Sequence, residues 1–298
     1  MPWEVNMLER LVETFCAVDD FCKAFLPQWE AYLLRNGTES RGPEPGLCVS
    51  EIITILLMLH GSRFKYLKSF YNGVVGEALR RYFPGMPCYE RFVALQPSVL
   101  LPLLCFLLSR LGQRTGIYYI DSTALAVCHN RRISRHKTFA GLAARGKTSM
   151  GWFFGFKLHL VFNQLNEIVA VKLTPGNVHD GAPMEQLTQN LTGKLFGDKG
   201  YLGKKRASAL LKRGLVLMTK VRKNMKALPL TLTDKLLLNA RNRAETIIGH
   251  LKAFSSLNLP KHRAPLNAFL HLLAALTAYQ LNPIKPDVSF LSLLSLPA

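Results

Sequence analysis

The chain is 298 residues long and 49% hydrophobic, enough apolar material for one large domain or two smaller ones, which excludes an intrinsically disordered protein. Its 38 Lys and Arg against 19 Asp and Glu leave +19 at pH 7, an excess that points to an anionic partner, nucleic acid first. Residues 1–50 hold 4 basic and 8 acidic residues, a net −4, so residues 51–298 carry +23 and the anion-facing surface lies after residue 50.

Up to Gly116 the apolar spacing is helical. Leu8, Leu11, Val12 and Phe15 repeat at i, i+3, i+4 and i+7, which predicts an amphipathic helix. The stretch Glu39 to Gly46 reads as a linker, and Ser50 as the N-cap of a helix over Ile52 to His60. Arg63, Lys65, Lys68, Arg80, Arg81 and Arg91 lie between breaks at Gly61, Gly73 and Pro84 to Pro87. That segment suits a helix-turn-helix-like DNA reader, with Tyr89 to Gln96 as its recognition helix, and suits a packing bundle or dimer surface equally well. The apolar runs Val99 to Leu108 and Leu266 to Leu281 fall short of the roughly 20 residues of a spanning helix and read as core helices, so no membrane partner is expected. Six cysteines without a Cys-x-x-Cys pair read as buried reduced thiols, and the start Met1-Pro2-Trp3-Glu4 has no signal-peptide pattern. Both predict a cytoplasmic protein.

From Ile117 the texture becomes β. Ile117 to Ile120, Phe153 to Phe162 and Ile168 to Leu173 read as three strands, the last two joined by the polar turn Asn163-Gln164-Leu165-Asn166. A helix over Ala182 to Asn190 follows, then a strand Lys194 to Gly197, a helix Lys204 to Arg213, a strand Leu215 to Lys220 and a long helix from Thr233 to about Phe254. The order βββαβαβα predicts an α/β domain with a mixed sheet over residues 117–298, preceded by a helical region over 1–116, with the helix Leu266 to Leu281 packed on the α/β domain.

Acidic residues are scarce in this basic half, and three stand at informative places. Asp121 closes the apolar run Tyr118-Tyr119-Ile120. Asp198 follows a predicted strand between Gly197 and Gly200, at a strand end where α/β sheets bind ligands. Glu245 lies at the edge of a helical stripe formed by Leu237, Ala240, Ala244, Ile247, Ile248 and Leu251, on one flank with Arg241 and Lys252. Each alone has an ordinary explanation: a turn cap for either aspartate, a surface ion pair with Arg241 for the glutamate. Together, carboxylates from separate elements are what a divalent-metal phosphoryl-transfer site requires, because hard cations take oxygen ligands and two of them can activate a nucleophile and stabilise a leaving oxygen.

The strings Tyr119-Ile120-Asp121-Ser122-Thr123, Thr174-Pro175-Gly176-Asn177-Val178-His179-Asp180, Gly197-Asp198-Lys199-Gly200-Tyr201 and Arg243-Ala244-Glu245 with His250-Leu251-Lys252 resemble DDE transposases of bacterial insertion sequences. The resemblance covers at least residues 117–281 and implies a ribonuclease H-like fold of a compact subgroup without a large insertion before the glutamate. It implies Asp121, Asp198 and Glu245 as catalytic residues and ligands of two Mg²⁺ or Mn²⁺ ions. His179 and Asp180 would support them, Asp180 serving equally well as a helix N-cap before Pro183. Many relatives carry a tyrosine, arginine, glutamate, lysine signature at the third position. Here Arg241, Glu245 and Lys252 keep the spacing without the tyrosine.

Arg131, Arg132, Arg135, Lys137, Arg145 and Lys147 lie between Cys128 and Gly151 with no acid among them, which predicts a basic loop beside the site. Lys194 to Lys226 holds eleven basic residues and one acid, Asp198. The expected DNA contacts are Arg131, Arg132, Arg135, Lys199, Tyr201, Lys220, Arg222, Lys223, Arg241 and Lys252. The resulting expectation is a transposase that cleaves insertion-sequence ends and joins them to target DNA. Its partners would be double-stranded DNA, as terminal inverted repeats and target, and a second protomer or larger assembly, near the nucleoid. A metal-dependent nuclease of the same fold and a non-catalytic basic DNA-binding protein are the alternatives.

Overall fold

The computed structural model describes residues 2–37, 46–62, 64–149, 151–220, 230–254, 257 and 262–285. In chain order the helical segments α1 (Pro2–Arg35), α2 (Val49–His60), α3 (Leu67–Ser69), α4 (Tyr89–Leu95) and α5 (Leu100–Ser109) come first. Then come β1 (Ile117–Cys128), β2 (Ala144–Thr148), β3 (Gly151–Asn163), β4 (Ile168–Pro175), α6 (Met184–Leu187), β5 (Gly193–Gly197), α7 (Lys204–Lys212), β6 (Leu215–Thr219), α8 (Leu232–Asn239), α9 (Asn242–Phe254) and α10 (Pro265–Leu281). The described residues group into a helical unit, which ends at Arg110 and takes in His262–Leu281, and a sheet unit from Leu111 to Lys252.

In the helical unit α1 buries Leu11, Val18 and Cys22, whereas Val12, expected on the same stripe, is 54% exposed. Helix α2 begins earlier than predicted. Cys48 is its N-cap, and the Cys48 backbone N–H donates to the Glu51 carboxylate at 2.8 Å. Ser50 instead donates to Asp19 Oδ1 at 2.9 Å and ties α2 to α1. Pro102 lies in the first turn of α5, where its missing N–H costs nothing. The stretch Tyr89–Ser109 is long and apolar enough by composition to cross a membrane, and here it gives Phe92, Val99, Leu103 and Phe106 to the core. Helix α4, the segment suggested as a DNA reader, buries Phe92 against Tyr71 with ring centroids 4.3 Å apart and leaves Arg91 exposed. All six cysteines are free, but only Cys22 is buried; Cys16, Cys48 and Cys88 are exposed.

Helix α10 departs from expectation. Its Leu270, Ala274 and Ala278 share one core with Ile52, Ile55 and Phe106, so it packs in the helical unit. His60 of α2 and His271 of α10 meet at 3.0 Å, both buried. The boundary after Gly116 moves to Arg110/Leu111 for a related reason: Gly112 donates its N–H to the Ile168 carbonyl at 2.8 Å and so belongs to the sheet unit.

The sheet has the order β2-β3-β1-β5-β6, with β4 also on β3. Pairings β1–β3, β2–β3 and β3–β4 are antiparallel, while β1–β5 and β5–β6 are parallel, which gives the mixed sheet expected. Strand β3 is long enough to hold β2 along Gly151–Gly155 and β4 along Phe156–Phe162. The β3–β4 turn forms as its residues dictate: Asn166 adopts φ 63°, and Asn163 Oδ1 accepts the N–H groups of Leu165 and Glu167, both at 3.0 Å. Three details differ. The basic loop contains a 3₁₀ segment, Asn130–Arg135, and strand β2. The predicted helix Ala182 to Asn190 shrinks to α6. The long helix from Thr233 is broken between Asn239 and Asn242 into α8 and α9.

Candidate active site

Strand register brings the two aspartates together. Tyr119 of β1 pairs in parallel with Phe196 of β5; Asp121, within β1, and Asp198, one residue past the end of β5, each lie two residues beyond that pair. Asp121 is held on its other side by antiparallel pairing with Leu160 of β3, and its Oδ1 accepts the Ser122 N–H at 2.8 Å. Burial raises its carboxyl to about 6. The Ser122 N–H and Arg241 oppose that rise, and the charges of Glu245 and Asp198 add to it. The carboxylates at the end of β5 and on α9 are therefore each within electrostatic reach of Asp121.

Asp198 is exposed and opens the 3₁₀ turn Lys199–Tyr201, whose Tyr201 N–H returns to its carbonyl at 3.0 Å. Glu245 is 58% exposed and paired with Arg241 at 2.6 Å, the ion pair its spacing allows. Lys252 is on the same helix, and the Asp121 carboxylate opposes the lowering that burial imposes on its ammonium. Among the described residues no three His, Cys, Asp or Glu groups stand together closely enough to hold one ion. The donor chemistry nonetheless fits a hard divalent cation: the donors are oxygen only, and the Asp121 carboxyl is raised partly by two neighbouring carboxylates whose repulsion a cation would relieve.

Asp180 and His179 separate in role. Asp180 pairs with Lys157 at 2.9 Å. Burial pushes its carboxyl up, but Lys157 and the Ser122 hydroxyl hold it below the ordinary range. It does not cap α6, whose N-cap is Pro183. His179 is exposed, and its Nδ1 accepts the Gly181 N–H at 3.1 Å, so it shapes the turn after β4.

Tyr201, expected to contact DNA, is 2% exposed and packs with Tyr118, Ile120 and Leu195, which excludes its ring from a DNA-facing surface. Burial, then the Asp121 charge, pushes its phenol far up, so it stays a neutral prop beneath the carboxylates. Arg131, Arg132, Arg135, Lys199 and Lys220 are exposed, whereas Arg222 and Lys223 lie outside the described residues. Two buried groups escaped the sequence reading. Lys157, 9% exposed, bonds Asp180 and donates to the Val178 carbonyl at 3.0 Å. His159, fully buried, meets Thr174 Oγ1 at 2.9 Å. Their signal was a charge and an imidazole inside the apolar run Phe153 to Phe162.

Residues 111–265 match the family model described as Transposase DDE domain. No curated protein matches the chain. Among solved structures, the cryo-EM structure of the piggyBac transposase synaptic complex with hairpin DNA is similar, with a TM-score of 0.51 at 12% identity over 93% of this chain and 73% of that one. That likeness concerns the fold, a mixed sheet of ribonuclease H-like type.

Proposed function

The chain belongs to the transposase DDE domain family, and we propose that Asp121, Asp198 and Glu245 are the carboxylates with which it cleaves DNA and transfers the cut strand. The observation that supports the assignment is the β1–β5 register, in which Asp121, within β1, and Asp198, just past the end of β5, each lie two residues beyond the Tyr119–Phe196 pair. The charge of Glu245 adds to the rise of the Asp121 carboxyl, which supports Glu245 as the third member.

DDE transposases use divalent metals, and the identity and number proposed for this chain are two Mg²⁺ or Mn²⁺ ions, held by Asp121 and Asp198 with Glu245 completing the set. Bound there, the ions would supply stabilisation of the attacking and leaving oxygens of an in-line displacement. The protein's own groups position and neutralise. Glu245 is the solvent-facing member of the i, i+4 pair, 58% exposed against 16% for Arg241, so its carboxylate can turn from Arg241 towards a cation. Arg241 and Lys252 then remain as positive charge for the phosphate flanking the scissile bond. The Lys157–Asp180 pair fixes the turn after β4 beside Ser122, which limits the motion of Asp121.

Arg131, Arg132, Arg135, Lys199 and Lys220 extend the phosphate-binding surface outward. Double-stranded DNA is the substrate of this reading, as terminal inverted repeats of an insertion sequence and as target. Two ends must be processed for one insertion, which favours a homodimer or larger assembly on DNA, in the cytoplasm at the nucleoid. The test is cleavage and joining of a labelled end of the parent element with Mg²⁺ or Mn²⁺, in wild type and in Asp121→Ala, Asp198→Ala and Glu245→Ala. Loss of both steps in all three, with DNA binding kept, is expected. Unchanged activity in any variant removes that residue from the site, and cutting without joining identifies a nuclease.

A further inference from the structure

The β2–β3 hairpin carries an exposed tryptophan in a wholly basic setting. Trp152 is 54% exposed, while its neighbour Phe153 is 8% exposed on the opposite face, so strand alternation directs the indole outward. Arg145 and Lys147 lie over the ring, each 5.6 Å from its centroid. Asn130 donates to the Trp152 carbonyl at 2.7 Å and thereby fastens the hairpin to the 3₁₀ segment that bears Arg131 and Arg132. Between Asp121 and Glu167 the sequence contains no acidic residue. Large aromatics are usually buried. Here the core does not need the ring, the surrounding charge suits phosphate, and a flat π-face suits a base.

We propose that Trp152, with Arg145 and Lys147, is a stacking site for an unpaired nucleotide of the DNA bound by this chain. An unpaired base is specified because bases inside a duplex already stack on each other, whereas one at an end or splayed from the helix has a free face. The two cations hold the phosphates on either side of it. The nucleotide is not the one being cut: Asp121 pairs with Leu160, and Trp152 lies eight residues before Leu160 on β3. At about 3.3 Å per residue this is about 26 Å along the strand. The inference rests on the DNA-binding part of the transposase reading and adds to it a contact away from the carboxylates.

The experiment uses the full chain in EDTA, so that neither metal nor catalysis enters. The probes are a blunt duplex oligonucleotide and the same duplex with a single-stranded 3′ tail containing 2-aminopurine, followed by anisotropy and by 2-aminopurine fluorescence. Wild type is expected to bind the tailed probe about tenfold more tightly, the factor one stacked base supplies, with quenching of the 2-aminopurine. Trp152→Ala is expected to lose the preference and the quenching while its affinity for blunt duplex stays within about twofold, and Trp152→Phe to keep part of both. A wild-type protein that binds both probes equally overturns the stacking site and leaves the transposase reading standing. Retention of the preference in Trp152→Ala, or an equal loss for both probes, overturns it too. Failure of wild type to bind either probe removes the reading beneath it.

Discussion

At the residue scale, burial disfavours the charged forms of Asp121 and His159, and the two respond to pH with opposite sign. Burial and two carboxylate neighbours raise Asp121 to about 6, so at neutral pH its charged form costs the folded chain stability relative to the unfolded one. The shift of about two units corresponds to roughly 3 kcal/mol. Asp121→Asn is expected to raise the stability of the metal-free protein at pH 7 by about 1–3 kcal/mol, read by urea denaturation, while abolishing cleavage. An unchanged or lowered midpoint removes the strain argument. His159 works with the opposite sign. Burial depresses its imidazole to about 4, with Lys157 and Lys172 adding to that and Asp180 opposing it. The unfolded ring binds a proton near 6.5, so stability is complete above that pH and is lost as pH falls towards 4, by up to roughly 3 kcal/mol. His159→Gln, whose amide can still meet Thr174, is expected to flatten stability between pH 6.5 and 4; a profile as steep as wild type would assign the acid sensitivity elsewhere.

At the element scale, β3 organises the sheet unit, and its tightest point is Gly155. A Cβ there would lie 2.0 Å from the Leu125 carbonyl oxygen, beside the irregularity in β1 between Ala126 and Cys128. The obstacle is backbone on a central strand, so relief requires movement of β1. Gly155→Ala is expected to cost about 2–4 kcal/mol in chemical denaturation; a loss under about 0.5 kcal/mol would show that β1 yields freely. Elements of this kind were legible where residue chemistry is local. The strand runs, the Asn163–Asn166 turn and the helix beginning at Lys204 follow from alternation, turn residues and a 3.6 period. Asp121, Asp198 and Glu245 were also legible as acids in a basic half, because charge scarcity is a sequence property. The rest depends on partners distant in sequence. Val12 could not be told from Leu11 without knowing what packs on α1. Tyr201 is expected among the DNA contacts, and only the sheet shows it buried. Helix α10 has the composition of any core helix, so its residence in the helical unit was decided by contacts and not by pattern.

At the scale of the whole molecule, net charge sets how the chain meets DNA. The −4 of residues 1–50 against +23 thereafter restricts phosphate binding to the later part of the sequence. There the exposed Arg131, Arg132 and Arg135 belong to one 3₁₀ segment, with no acid to compensate them between Asp121 and Glu167. Each phosphate that a basic side chain neutralises releases condensed counterion, so the logarithm of affinity falls with the logarithm of salt by about 0.9 per contact. If these arginines each hold a phosphate, the triple substitution to Ala should reduce the magnitude of that slope by about 2.7 and weaken binding to all duplex sequences alike. Duplex affinity measured from about 50 to 300 mM salt, a range over which such contacts change binding by orders of magnitude, checks this. A slope equal to wild type would mean that the segment faces away from DNA. A change confined to particular sequences would mean that it reads bases, since phosphate contacts orient a duplex without distinguishing its sequence.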